Sequence, residues 1–206
     1  RPWNLHVETT NACNADCVFC AYQHMQRKKT VMAMDVYHKT LADYVALGGG
    51  DLMLEVVVGD PLLDPEFLDK VHLARAEPSI RSIETITNGI ALDRIGVERF
   101  VSSGISRVLI STAGFDRDSY IALYRTKKYD KMRNNVLDLL RLNRELGNPI
   151  EVTIGFRTNR PLEAVLADPD FQAVQAYEPR IDFTFAMDDW TGLIQIGQLP
   201  KGFVAR

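Results

Sequence analysis

The stretch Asn4-Leu5-His6-Val7-Glu8-Thr9-Thr10-Asn11-Ala12-Cys13-Asn14-Ala15-Asp16-Cys17-Val18-Phe19-Cys20 decides how the rest of the chain is read. Its first five residues have the pattern of a short strand, and the remainder is a polar loop holding all three cysteines of the 206-residue sequence. Their spacing is C-x3-C-x2-C, and no fourth cysteine exists to complete a closed four-thiolate site. Three thiolates on one loop hold three corners of a cubane iron–sulfur cluster and leave one iron without a protein ligand. A metal with an open position serves chemistry, as in catalytic zinc sites that keep three protein ligands. Two rival readings stand beside this one. The first is zinc with His24 or His6 as fourth ligand. The second is a cluster that only transfers electrons.

Outward from that loop, strand and helix patterns alternate. Leu52–Val58 is nearly all apolar and rich in β-branched residues, as expected of a strand buried on both faces. Ile83–Thr87, Val108–Ser111, Glu151–Phe156 and Ile181–Phe185 read the same way, so with the first strand there are six. Helical stripes lie between them: Tyr37, Leu41, Tyr44 and Val45 behind a cap at Asp35; Phe67, Val71 and Ala74 behind Asp64-Pro65. Asp93 opens a shorter helix with Val97, Phe100 and Val101. Asp130 opens a longer one with Met132, Val136, Leu139 and Leu140, stopped by Gly147-Asn148-Pro149. Leu162–Leu166 is a further short helix held between Pro161 and Pro169. Apolar stripes of this kind are core packing. Repeated βα units imply an α/β fold with a parallel sheet, either doubly wound or a complete or partial barrel. In both, functional residues gather at the C-terminal ends of strands. The cysteine loop, Gly59-Asp60-Pro61, Thr87-Asn88-Gly89 and Ser111-Thr112-Ala113-Gly114 follow the first four strands and so fall on one rim.

Composition narrows the class. Hydrophobic residues are 46% and charged residues 25%, which suits a globular domain with a sizeable core. A net charge of −3 argues against a dedicated nucleic-acid surface. No run of eighteen apolar residues marks a membrane span, and the N-terminus lacks a signal-peptide pattern. Three clustered cysteines point to a metal in a reduced compartment, so the expected location is cytoplasmic. The first residue is Arg1, and the alternation in Thr191–Gly197 breaks off without a closing element, which suggests an excerpt of a longer protein.

The loop Glu8–Tyr22 resembles the signature of the radical S-adenosylmethionine (radical SAM) enzymes, in which C-x3-C-x-aromatic-C binds a [4Fe–4S] cluster; Phe19 fills the aromatic position. The resemblance extends over nearly the whole chain and implies the family's partial (β/α)6 TIM-type barrel. It implies that Cys13, Cys17 and Cys20 ligate three irons, while S-adenosylmethionine chelates the fourth through its amino and carboxylate groups. Val58-Gly59-Asp60-Pro61 stands where the family usually has Gly-Gly-Glu-Pro, which meets the methionine ammonium; here Val replaces the first Gly and Asp replaces Glu. By the same resemblance Ser111 contacts the carboxylate or ribose, and Arg125 pairs with the carboxylate through its guanidinium fork. Tyr22 lies where main-chain groups meet the adenine, and Asn88 is read as facing the active site.

The family's activity is reductive cleavage of S-adenosylmethionine to methionine and a 5′-deoxyadenosyl radical, which abstracts hydrogen from a substrate. The implied partners are a reductant such as flavodoxin or ferredoxin and an unidentified peptide or small molecule, with no membrane and no nucleic acid. Residues 1–187 are expected to form the core domain. Residues 188–206, with Asp189-Trp190-Thr191-Gly192, resemble the start of a SPASM or twitch-type extension, whose members often modify peptides or oxidise alcohols. Asp188, Asp189 and Trp190 are placed to close the substrate mouth. Arg27-Lys28-Lys29 reads as a solvated face, and His38 and His72 as structural. The non-enzyme alternative is an iron–sulfur binding or electron-transfer module of the same fold.

Overall fold

The computed structural model describes residues 2–55 and 57–205; Arg1, Val56 and Arg206 lie outside the described residues. Six strands, β1 (Asn4–Glu8), β2 (Gly50–Glu55), β3 (Ile80–Thr87), β4 (Arg107–Thr112), β5 (Glu151–Arg157) and β6 (Arg180–Thr184), form one sheet in the order β1-β2-β3-β4-β5-β6. Every neighbouring pair is parallel. A doubly wound sheet reverses its strand order at a switch point. This one never reverses, so successive right-handed crossovers put the helices on one face and curl the sheet. The architecture is the partial barrel.

Helices α1 (Met34–Ala46), α2 (Phe67–Arg75), α3 (Leu92–Ile95), α4 (Val97–Val101), α5 (Arg117–Tyr124), α6 (Tyr129–Glu145), α7 (Leu162–Leu166) and α8 (Pro169–Gln175) fill the crossovers. Leu52, Leu54, Ile83, Val108, Ile110 and Ile154 point outward and are buried with Phe67, Phe100, Met132, Val136 and Phe171. Most of the apolar burial that stabilises the fold lies in this layer. The concave face differs from expectation. The strands are not buried on both faces: inward positions alternate with the outward ones and carry Glu55, Glu84, Arg107, Glu151, Arg157 and Asp182. Arg107 bonds Glu84 and Arg180 bonds Glu151 across neighbouring strands, and Arg157 meets Asp182 at 3.0 Å. An open lumen keeps these charges in contact with water.

Several boundaries also move. The second strand ends at Glu55, residues 57–59 bend, and Val56, expected within the strand, lies outside the described residues. Asp35 and Asp130 sit in the first turns of α1 and α6, behind Ala33 and Lys128 as N-caps. Asp64 closes a 3-10 turn at Pro61–Leu63, and α2 begins only at Phe67. Gly96, at φ 86°, splits the expected Asp93 helix into α3 and α4. Helix α5, capped by the Asp116 carboxylate on the Ser119 N–H, and α8 were not anticipated. The alternating residues 191–197 form no strand; Trp190 and Thr191 take positive φ and a 3-10 turn covers Ile196–Gln198. The tail instead returns as β8 (Val204–Ala205), parallel to β7 (Ala186–Met187). Among the described residues no helix is long and apolar enough to cross a membrane.

Candidate active site

The cysteine loop is shaped by the chain itself. Asn11 brackets the segment facing it, donating to Lys28 O (3.0 Å) and accepting from Thr30 N (2.8 Å). On the other side Asp16 N donates to Tyr124 O (3.1 Å) and Val18 N to Leu123 O (2.9 Å), which ties the loop to the end of α5. Cys20 Sγ accepts from Tyr22 N at 3.4 Å and so caps the 3-10 turn Ala21–His24. The Tyr22 hydroxyl accepts from Cys13 N (3.1 Å), and Lys29 Nζ stands 5.1 Å over its ring.

Burial pushes the Cys13 thiol up to about 11, the Cys17 thiol well above its ordinary value, and Cys20 upward too; for Cys17 the neighbouring cysteines add to the effect. Three such groups become thiolates only when a positive charge compensates them. A metal cluster supplies that charge, and its binding releases the protons.

The second and third turns press against this loop. Gly59 has φ 135°, and a Cβ there would stand 2.9 Å from Ala12 O. Its bare backbone lets the turn lie on the cysteine loop, where Asp60 N donates to Ala12 O at 2.7 Å. Asp60 is fully buried. Its carboxylate accepts from Leu62 N (3.0 Å), Asn88 N (2.8 Å) and the Thr87 hydroxyl, so its donors are internal to the chain. Burial raises it to about 6, opposed by those hydrogen bonds. Asn88 Nδ2 donates to Asn14 Oδ1 (2.7 Å) and reaches Cys13 Sγ (3.9 Å). On the fourth rim turn the Ser111 hydroxyl meets the Tyr124 hydroxyl at 2.9 Å, and Tyr124 packs edge-on to Phe19 at 5.6 Å.

The three cysteines line one cavity of about 160 Å3 together with Phe19, Tyr22, Gly59, Asp60, Asn88 and Ser111. A larger cavity of about 620 Å3 opens beside it, sharing Phe19, Cys20 and Ser111 and reaching Arg157, Asp182 and Trp190. Arg125 is placed elsewhere. It ends α5 in a left-handed conformation (φ 48°), donates to Gln23 Oε1 at 3.1 Å, and lines a separate cavity with His24. Tyr124, one residue earlier, occupies the site in its stead. Sequence reasoning missed Tyr124 and Arg157, and gave Thr87 only as part of a rim turn. Tyr120 and Tyr124, four apart just after Ser111, carried a signal, since such pairs share one helix face. Trp190 lies over the site, its indole donating to Phe19 O at 3.1 Å.

His6 bonds Glu55, away from the thiols. Among the described residues no three His, Cys, Asp or Glu converge as on a single metal ion. A cubane spreads its ligands over separate irons and does not need that convergence. The donor set of three thiols on one cavity, with Tyr22 N and Asn88 as donors to sulfur, fits such a cluster with one open corner.

Known proteins resemble this chain in sequence family and in fold. A model of the radical SAM superfamily matches residues 7–165. Curated relatives include the GTP 3′,8-cyclase of Chlorobaculum tepidum, 26% identical over 136 residues (66% of this chain, 40% of that protein). That of Mannheimia succiniciproducens is 24% identical over 135 residues, 64% of this chain and 39% of the relative. The chain thus spans about two fifths of the length of the curated relatives it matches. Among solved structures, Streptococcus suis SuiB bound to the precursor peptide SuiA has a TM-score of 0.73 at 14% identity, covering 97% of this chain and 42% of SuiB. HydG, a maturase of the FeFe-hydrogenase, has a TM-score of 0.67 at 15% identity, covering 98% and 46%. At these identities the likeness is one of fold. Members of the superfamily use a [4Fe–4S] cluster and S-adenosylmethionine, and SuiB is also known with S-adenosylmethionine bound. The extent of the family match, over more than half of the residues, places this chain in the radical SAM superfamily.

Proposed function

We propose that this chain is the catalytic core of an enzyme that cleaves S-adenosylmethionine reductively and directs the resulting hydrogen abstraction at a peptide or small-molecule substrate. The observation that carries this reading is the meeting of four strand-end turns on one cavity lined by all three cysteines. Cys13, Cys17 and Cys20 would hold the cluster, and Gly59, Asn88 and Ser111 line the same cavity. Bound together, the cluster and S-adenosylmethionine supply one-electron cleavage of a carbon–sulfur bond and, through it, removal of a hydrogen atom from substrate.

The chain's own residues position and shield. Asp60 fixes the rim by gathering the Leu62, Thr87 and Asn88 donors, so the turn before it can meet an ammonium with its main chain. Ser111 and Tyr124 offer hydroxyls on the opposite wall. Phe19 and Trp190 cover the loop from water, and a dry, oriented site favours transfer between close partners. The adjoining cavity, with Arg157 and Asp182, is where substrate would lie. Residues 188–206 would begin an extension of the SPASM or twitch kind. The reductant would be a flavodoxin or ferredoxin in a cytoplasmic setting.

The test is anaerobic reconstitution with iron and sulfide, reduction, and addition of S-adenosylmethionine. 5′-Deoxyadenosine and methionine are expected on chromatography. Neither product from a chain with an intact, reducible [4Fe–4S] cluster would overturn the proposal in favour of an electron-transfer module.

A further inference from the structure

The cysteine loop is backed by the chain on several sides. Its Asp16 and Val18 amides are tied to the end of α5, and the turn at Gly59 and Asp60 lies against Ala12. Trp190 and Phe203 cover Phe19. Past the remaining side runs an outer segment, residues 23–30, in which every residue but Met25 is exposed. Its backbone is nonetheless fixed. Thr10 Oγ1 donates to Thr30 O (2.8 Å), Met32 N donates to Thr9 O (2.8 Å), and Asn11 brackets Lys28 and Thr30.

This face is cationic in a chain whose net charge is −3. Arg27 is matched by Glu8 at 2.9 Å, but the Lys28 and Lys29 ammonium groups have no acidic partner among the described residues. Arg125 adds a cation beside Gln23, with Asp16 at 3.8 Å. Lys29 Nζ stands 5.1 Å over the ring of Tyr22, whose hydroxyl bonds the Cys13 backbone. Tyr22 also lines the cavity of the three cysteines. One aromatic ring thus joins the cationic surface to the site.

We propose that residues 23–29 form the docking face for an acidic one-electron carrier protein, with Lys28 and Lys29 as its principal contacts. The inference rests on the reading of Cys13, Cys17 and Cys20 as cluster ligands. In the docked pair the carrier loses one electron and the cluster gains it; no bond forms or breaks. Patches of opposite charge steer such encounters, raising association rates about 10–10³-fold. Two free lysines are too few for a nucleic-acid surface, which needs a basic stripe or face.

The test mixes the cluster-loaded chain anaerobically, in stopped flow, with an acidic flavodoxin held at a potential below the cluster's measured midpoint. At about 0.01 M ionic strength, where charges act over about 30 Å, Lys28→Glu with Lys29→Glu should slow second-order reduction about tenfold or more. At about 1 M, where that range is about 3 Å, the two proteins should converge. Iron content and the extent of reduction by excess dithionite should not change. Carbodiimide, which joins a carboxylate directly to a lysine amine, should link the flavodoxin at Lys28 or Lys29. Equal low-salt rates, an equal loss with Arg99→Glu on α4, or cross-links confined to other lysines overturn this inference alone. So does a chain that dithionite reduces and the flavodoxin does not. A wild-type chain that takes up no cluster overturns the ligand reading and this inference with it.

Discussion

Two acids bracket the short turn Pro61–Leu63, both sealed from water, and the chain treats them in opposite ways. Asp64, at the root of α2, faces Lys70 Nζ at 2.7 Å, and neither side chain has any exposed surface. Asp60, on the rim, has no cation among its partners and is held by two amides and a hydroxyl. A buried charge needs compensation. Where the protein only needs a scaffold, a lysine gives it permanently. Where it builds a site, neutral donors hold the carboxylate and leave the local charge to be set by whatever binds next to it. The same division runs through the sheet, with an apolar, sealed outer face and a charged, open inner one.

The comparison is broken most sharply at Lys70. Lys70→Met should lower unfolding free energy in urea by about 3–5 kcal/mol at neutral pH, because Asp64 is left buried without its cation. Adding Asp64→Leu should recover most of that loss, since well-packed apolar residues replace a buried pair at little cost. If the double variant stays as unstable as the single one, the pair serves more than mutual neutralisation.

Asp60 predicts a pH effect of the opposite kind. Folded Asp60 holds its proton up to about pH 6, whereas an unfolded aspartate loses it near 3.9. The folded state therefore binds the proton more tightly, and the contribution to stability falls as pH rises from about 4 through about 6. A shift of roughly two units amounts to about 3 kcal/mol at most. Urea unfolding of the cluster-free chain across that range should show a fall that Asp60→Asn flattens. Equal slopes for the two proteins would contradict the assignment. Thr87→Val sharpens the point: it removes a donor that lowers the Asp60 pKa, and should cost about 1–2 kcal/mol at neutral pH while moving the transition to higher pH.

The smallest expected effect on stability lies at the cysteines. The loop hangs on backbone bonds from Asp16 and Val18 and on the Asn11 bracket. Cys17→Ala should stay within about 1 kcal/mol of wild type without cluster, yet fail to assemble the [4Fe–4S] cluster. Full iron content and absorbance in that variant would remove Cys17 from the ligand set.

Much of this was legible in the sequence because the signals are local and repeated. Six strand-like runs gave the strand count, the polar turns after the first four marked the rim, and the clustered cysteines pointed to a metal cluster. What escaped depended on distance along the chain. The strands look doubly buried because Leu52, Met53 and Leu54 are all apolar, but only the sheet's curl decides which faces see water. Tyr124 was hidden by its neighbour Arg125, which looks like the better anion binder; the left-handed φ of 48° at Arg125 turns that side chain out of the site. Asp60 reads in sequence as part of the motif that meets the methionine ammonium; that its carboxylate is taken up by Thr87 and Asn88 shows only in the fold. The tail alternation gave way to a turn because Trp190 and Thr191 both adopt positive φ.

The central claim is that three cysteines hold a cluster whose fourth iron is reserved for S-adenosylmethionine. The most direct measurement is the electron paramagnetic resonance spectrum of the reduced, reconstituted protein with and without that cofactor. The account predicts a clear change in the signal on addition. A reduced [4Fe–4S] spectrum that stays identical at saturating S-adenosylmethionine would contradict it.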